Sequence, residues 1–114
     1  MAYPNDLVET QAKAFRERDL ELFLACYSEH SVIKDGDGNV MMSGIESLRQ
    51  MYGQLFQNSP HLAVTIPTEM TVGEYVIHEE QIDGFHLPGY PAQIHAVAVY
   101  RVTDGQIREV TLLM

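Results

Sequence analysis

Apolar positions recur at helical spacing only in the first half of this chain. Val8, Ala12 and Phe15 stand at i, i+4 and i+7, which is one face of a helix. Asp6, with Glu9 three residues on, supplies a capping start for it. Gln11 falls on the same apolar face, an unusual place for an amide. The segment RERD (16–19) breaks the pattern, and Asp19 can cap a second, short helix that carries Leu20, Phe23, Leu24 and Tyr27. The period then changes. Ser31 to Asp35 reads as a strand, Gly36 to Asn39 as a turn and Val40 to Ser43 as its return, because Asp-Gly pairs favour the left-handed turn conformations that close hairpins. Ser43 and Glu46 form an S-x-x-E box opening a third helix with Ile45, Leu48, Tyr52, Leu55 and Phe56, and Pro60 lies just beyond its end.

From His61 onward no helical period remains. Four strands are predicted, over 61–72, 74–83, 92–102 and 106–114, separated by Gly73-Glu74, the long 84–91 loop and Asp104-Gly105. Pro67 has no N–H for a ladder, so the first of the four is expected to be bent, bulged or at an edge. In IHAVAVYRV, Ile94, Ala96, Ala98 and Tyr100 take one face, while Val97 and Val99 take the other. A strand open to water on one side would alternate apolar with polar. Here both faces are apolar at mid-strand, so the second face needs a cover, and a second copy of the protein is the expected one.

The chain has 114 residues, a length that fits one domain over 1–114 with a core and room for one cavity. Its formal net charge is −9, and its seven lysines and arginines never cluster. Nucleic-acid binding needs a basic stripe, and so does an anionic membrane surface, so neither partner is expected. No secretory leader and no apolar run long enough to span a bilayer stand out, and Cys26 has no second cysteine to bridge to. A cytoplasmic location is therefore expected.

The densest chemistry lies in VIHEEQIDGFHLPGY (76–90). On a strand, Val76, His78, Glu80 and Ile82 share one face, while Ile77, Glu79 and Gln81 share the other. The adjacent glutamates thus point opposite ways and form no paired acid. His78 and Glu80 can meet as imidazole and carboxylate, or Glu80 can pair with Arg101 or Arg108 across strands. No metal is expected, since zinc asks for three or four converging ligands and the chain has no cysteine pair and no H-x-x-x-H. Cys26 reads as a small core residue, and Met41, Met42, Met51, Met70 and Met114 as core or pocket lining.

The order helix, short helix, hairpin, helix, four antiparallel strands is α+β. Through RDLELFLACYSEHSVIKDGDGNVMMSGIESLRQMYGQLF and AVAVYRVTDGQIREV the chain resembles the nuclear transport factor 2-like superfamily, and through VGEYVIHEEQIDG its SnoaL-like members. The resemblance implies a cystatin-like cone: three N-terminal helices packed on a strongly bent mixed or antiparallel sheet that encloses a mostly apolar pocket. It implies a small apolar molecule as ligand, no cofactor, and a homodimer through the outer sheet face. The implied pocket lining is Phe15, Tyr52, Phe56, Ala98, Tyr100, Val110 and Leu112. Ketosteroid isomerases combine an aspartate base with a tyrosine and a protonated aspartic acid. Counted from shared landmarks, the resemblance puts the base at Asp35, the tyrosine position at Gln11 and the second acid at Ala98. SnoaL-like relatives point instead to Glu80 as a pocket carboxylate. Two functions follow. One is a cofactor-free isomerase, cyclase or dehydratase with Asp35 as base, Gln11 as donor and Glu80 with His78 as a second acid–base pair. The other is a non-catalytic binding or accessory module. An Asp35 carboxylate in bulk solvent would leave the second.

Overall fold

A computed structural model describes residues 3–114. Its elements run α1 (Pro4–Glu17), α2 (Leu20–Ala25), β1 (Tyr27–Asp35), β2 (Val40–Ser43), α3 (Ile45–Asn58), β3 (Ala63–Val72), β4 (Tyr75–Asp83), β5 (Ile94–Thr103) and β6 (Gln106–Leu113). One six-stranded sheet has the order β2-β1-β6-β5-β4-β3. Its pairs are antiparallel except β1 with β6, which run parallel, so the sheet is mixed.

Several expectations are corrected in detail. The helix α1 begins before Asp6. Proline, which has no N–H to leave unpaired, opens it at Pro4, and the Asp6 carboxylate reaches back to the Tyr3 N–H at 3.3 Å. The helix α3 is not N-terminal, because it follows the β1–β2 hairpin. Nor does the Ser43–Glu46 box form. Gly44 stands at the N-cap with φ +88°, which turns the chain out of β2 without a side-chain cap. Strand β1 starts at Tyr27, four residues before alternation suggests. Polar residues there are satisfied internally: Ser31 Oγ donates to the Ile107 carbonyl at 2.6 Å and accepts the Ser28 N–H at 2.9 Å. These bonds sit where the pairing with β6 slips, between Tyr27 and Val32. Other features follow the sequence. Asp19 caps α2 by accepting the Leu22 N–H at 3.1 Å. Strand β3 lies at the sheet edge, and its register shifts between Thr65 and Thr68, around Pro67.

Helices and sheet share one core. Phe15, Phe23, Tyr52 and Phe56 form an aromatic cluster with ring centroids 4.5–6.2 Å apart. Against them the sheet buries Val76, His78 and Ile82 from β4, Ile94, Ala96, Ala98, Tyr100 and Val102 from β5, and Ile107 and Val110 from β6. Val97 and Val99, on the opposite face, stay half-buried, while Met70, Val72 and Tyr75 are exposed. Met70 is thus neither core nor pocket lining. Gly84 ends β4 with φ +70°, and a Cβ there would stand 2.5 Å from the His61 carbonyl oxygen, so only glycine fits. Among the described residues no helix is long and apolar enough to cross a membrane.

Candidate functional site

Between the helices and the inner sheet face lies a hollow of about 80 Å³. Residues of every helix reach it: Gln11, Ala12 and Phe15 from α1, Phe23 from α2, and Met51, Tyr52 and Leu55 from α3. The sheet side adds Tyr27, Met42, Val64, Glu80, Ile82, Ile94, Ala96, Tyr100, Val110 and Leu112. Its walls are thus almost wholly apolar or aromatic, with few polar atoms.

Glu80 is the one charged side chain among the described residues that line the hollow. The β4 period turns Val76, His78, Glu80 and Ile82 inward and leaves Ile77, Glu79 and Gln81 outside, which settles the face left open by sequence. Tyr100 donates its hydroxyl to Glu80 Oε2 at 2.9 Å. Behind Glu80 sits His78, fully buried. Its Nδ1 is 3.8 Å from Glu80 Oε2, too long for a hydrogen bond, so that contact is electrostatic. Its Nε2 bonds instead to Glu69 Oε2 at 2.6 Å. Glu69 is the register partner of His78 on β3, and it faces the groove between α1 and β3. Ala98, opposite His78 on β5, is too small to compete for the space the imidazole fills. Neither arginine takes Glu80: Arg101 pairs with Glu74, and Arg108 with Asp104.

These contacts set the protonation states. Burial alone would push the His78 pKa down, but Glu80 and Glu69 outweigh it and hold the pKa above the ordinary histidine value. Burial, with Glu80 nearby, pushes Tyr52 and Tyr100 well up, and burial first, then Tyr52 and Glu80, does the same for Tyr27, so all three hydroxyls keep their protons. Cys26 is a buried core thiol whose pKa desolvation pushes up.

The predicted residues separate into two groups. Gln11, Glu80, Phe15, Tyr52, Tyr100, Val110 and Leu112 line the hollow. Gln11 is 4% exposed, and its Oε1 has no hydrogen-bond partner. His78 stands one layer behind. Phe56 closes the aromatic cluster, and Ala98 packs under His78; neither reaches the hollow. Asp35 is the main correction. Its carboxylate accepts the Asp37 N–H at 2.9 Å, the Asn39 N–H at 2.9 Å and the Asn39 amide at 3.1 Å. Asn39 above all holds its pKa below the usual carboxylate range. It is a turn residue outside the hollow, because the D-G-D-G turn supplies more donors than a pocket mouth would. Glu69 and Tyr27 were missed. Pro67 announces a disturbance in β3, but not the register beyond it, and that register is what brings Glu69 opposite His78. Tyr27 lies on β1, where sequence extends α2. Among the described residues no three His, Cys, Asp or Glu side chains gather as a metal would require.

Helices folded over one face of a mixed six-stranded sheet, around a hollow with a single carboxylate, define an α+β protein of cystatin-like, nuclear transport factor 2-like type. More particularly, the chain belongs to the SnoaL-like domain family, whose model matches residues 8–110. Among solved structures it is similar to an uncharacterized cystatin-fold protein from Novosphingobium aromaticivorans, with 20% identity and a TM-score of 0.90 over 100% of both chains. A protein from Sinorhizobium meliloti, provisionally assigned as a polyketide cyclase, has 14% identity and a TM-score of 0.76 over 94% of this chain and 93% of its own. A ketosteroid isomerase-like fold from Catenulispora acidiphila, in complex with trimethylamine, has 18% identity and a TM-score of 0.71 over 93% of this chain and 82% of its own. A search of curated proteins finds none that matches.

Proposed function

We propose that this protein binds a small, mostly apolar molecule in the hollow between its helices and sheet, as a ligand-binding or accessory module. The observation that carries this reading is Gln11. A buried amide oxygen without a protein partner costs roughly 1–3 kcal/mol, a penalty that a bound ligand or an ordered water removes. Gln11 is among the residues lining an apolar hollow, the usual composition of a small-molecule site, and a turn of its amide brings the buried, orphaned Oε1 to a ligand there. The proton-transfer reading has lost its base, since Asp35 is engaged by its own turn. Glu80 therefore enters as a polar anchor, with His78 behind it.

We take the working unit to be a homodimer joined through the outer sheet face, where Ile77, Val97 and Val99 adjoin the exposed Met70, Val72 and Tyr75. An acidic chain with one buried thiol is at home in the reducing cytoplasm.

Methionine methyl groups report on the site. Met41, Met42 and Met51 line the hollow and Met70 lies outside it. In protein carrying labelled methionine methyls, benzyl alcohol should shift the first three signals and leave Met70 in place. Filling the hollow with Ala96→Leu should suppress those shifts. No movement of the inner methyls up to about 10 mM probe, a dissociation constant too weak to be specific, would end the reading.

A further inference from the structure

The hollow offers acceptors and a negative charge, and no positive one. Among the described residues lining it there is no lysine, arginine or histidine, and Glu80 is the single charged side chain. Tyr100 occupies Glu80 Oε2 at 2.9 Å, so Oε1 is left for a donor from the hollow. Gln11 lies in the same wall, but its unpartnered Oε1 is itself buried, so Glu80 is the acceptor that the hollow presents.

The neighbouring charges do not cancel Glu80. His78 is shared between Glu80 at 3.8 Å and Glu69 at 2.6 Å. The imidazole makes its hydrogen bond to Glu69 and meets Glu80 only at the longer distance. Lys13 and Arg16 of α1 face the groove beside Glu69, outside the hollow. The rings of Phe15, Phe23, Tyr27, Tyr52 and Tyr100 line the same hollow as Glu80, and aromatic faces carry negative quadrupole and attract cations. The chain as a whole carries −9, which draws cations toward it and repels anions.

We propose that the ligand of the hollow is a small organic cation, an ammonium group on an aromatic or aliphatic body, anchored by Glu80. This rests on the binding reading above and narrows it. A volume of about 80 Å³ limits the body to a small one. The ammonium donates to Glu80 Oε1 while the rings cover its carbon substituents.

Three probes share one body and differ in charge: benzylammonium, benzyl alcohol and phenylacetate. Each is titrated at neutral pH into the full chain, with the inner methionine methyls as readout. Benzylammonium should bind at least about tenfold tighter than benzyl alcohol, since charge-assisted hydrogen bonds are roughly twice as strong as neutral ones, and phenylacetate should bind weakest. Glu80→Gln should shrink the advantage of the ammonium over the alcohol to less than about twofold, the residue expected from ring contacts alone. The wild-type ranking is decisive even if that variant fails to fold. Benzyl alcohol binding as tightly as benzylammonium, or phenylacetate binding tightest, overturns the cation assignment and leaves the binding reading standing. No methyl shift with any of the three overturns both.

Discussion

Replacing Glu69 by glutamine tests how the buried histidine is held. His78 is completely buried, and a neutral imidazole would be the default there, because desolvation penalises its charge. Two carboxylates reverse the balance. Glu69 makes the shorter contact, 2.6 Å to Nε2, while Glu80 stands 3.8 Å from Nδ1. Glu69→Gln keeps the shape and an acceptor oxygen but removes the charge. A hydrogen bond to a charged group contributes about 1.5–3 kcal/mol and a neutral one about 1. The difference, discounted because the Glu69 side chain is one-third exposed, leaves about 0.5–1.5 kcal/mol.

That loss has a pH signature. The folded-state pKa of His78 is raised above its unfolded value, so the stability it contributes is fully present below about 6.5, the unfolded value. It is lost as pH rises through the folded pKa. Wild type should therefore exceed Glu69→Gln in urea-unfolding free energy by the full amount at about pH 5.5, and the gap should narrow as pH climbs past the His78 titration. Ring-nitrogen NMR of His78 measures that titration directly, and its midpoint should fall in the variant. The reasoning is refuted if His78 titrates below the ordinary value in wild type, or if the gap between the two proteins widens with rising pH.

Three further outcomes follow from single residues. Gly84→Ala should cost more than about 2 kcal/mol in urea unfolding, since a left-handed backbone already costs a non-glycine residue about 1–2 and the new Cβ would meet the His61 carbonyl at 2.5 Å; a loss under about 0.5, the size of an ordinary surface change, contradicts the packing. Val99→Lys should yield a monomer in sedimentation at about 50 micromolar while wild type sediments as a dimer, and a wild-type monomer there ends the outer-face assembly. Asp35→Asn should leave probe binding at the inner methionine methyls unchanged, because the carboxylate serves only the turn; a large loss of binding would return Asp35 to the site.

What was legible in the sequence was whatever rests on short-range period. Val8, Gln11, Ala12 and Phe15 share a face because helices repeat every 3.6 residues, and that put an amide on the apolar face of α1, where it is among the residues lining the hollow. Alternation likewise put His78 and Glu80 on one side of β4. It could not say which side was inner, since that depends on how six strands pair. What stayed hidden depends on register. Glu69 reaches His78 only because β3 slips between Thr65 and Thr68, and Ser31 holds β1 to β6 across a second slip. Asp35 shows the opposite failure. A position carried over by counting from a resemblance fixes where the backbone goes, but not what the local side chains compete for. In D-G-D-G-N the nearest donors belong to the turn, within four residues, and they win over a cavity the carboxylate would have to leave the turn to reach. Glu80 had no such local donors on its strand. Its hydroxyl partner, Tyr100, comes from β5 and its charged neighbour, His78, from two residues back on β4, and that is why the carboxylate that meets the hollow lies mid-strand and not in the turn.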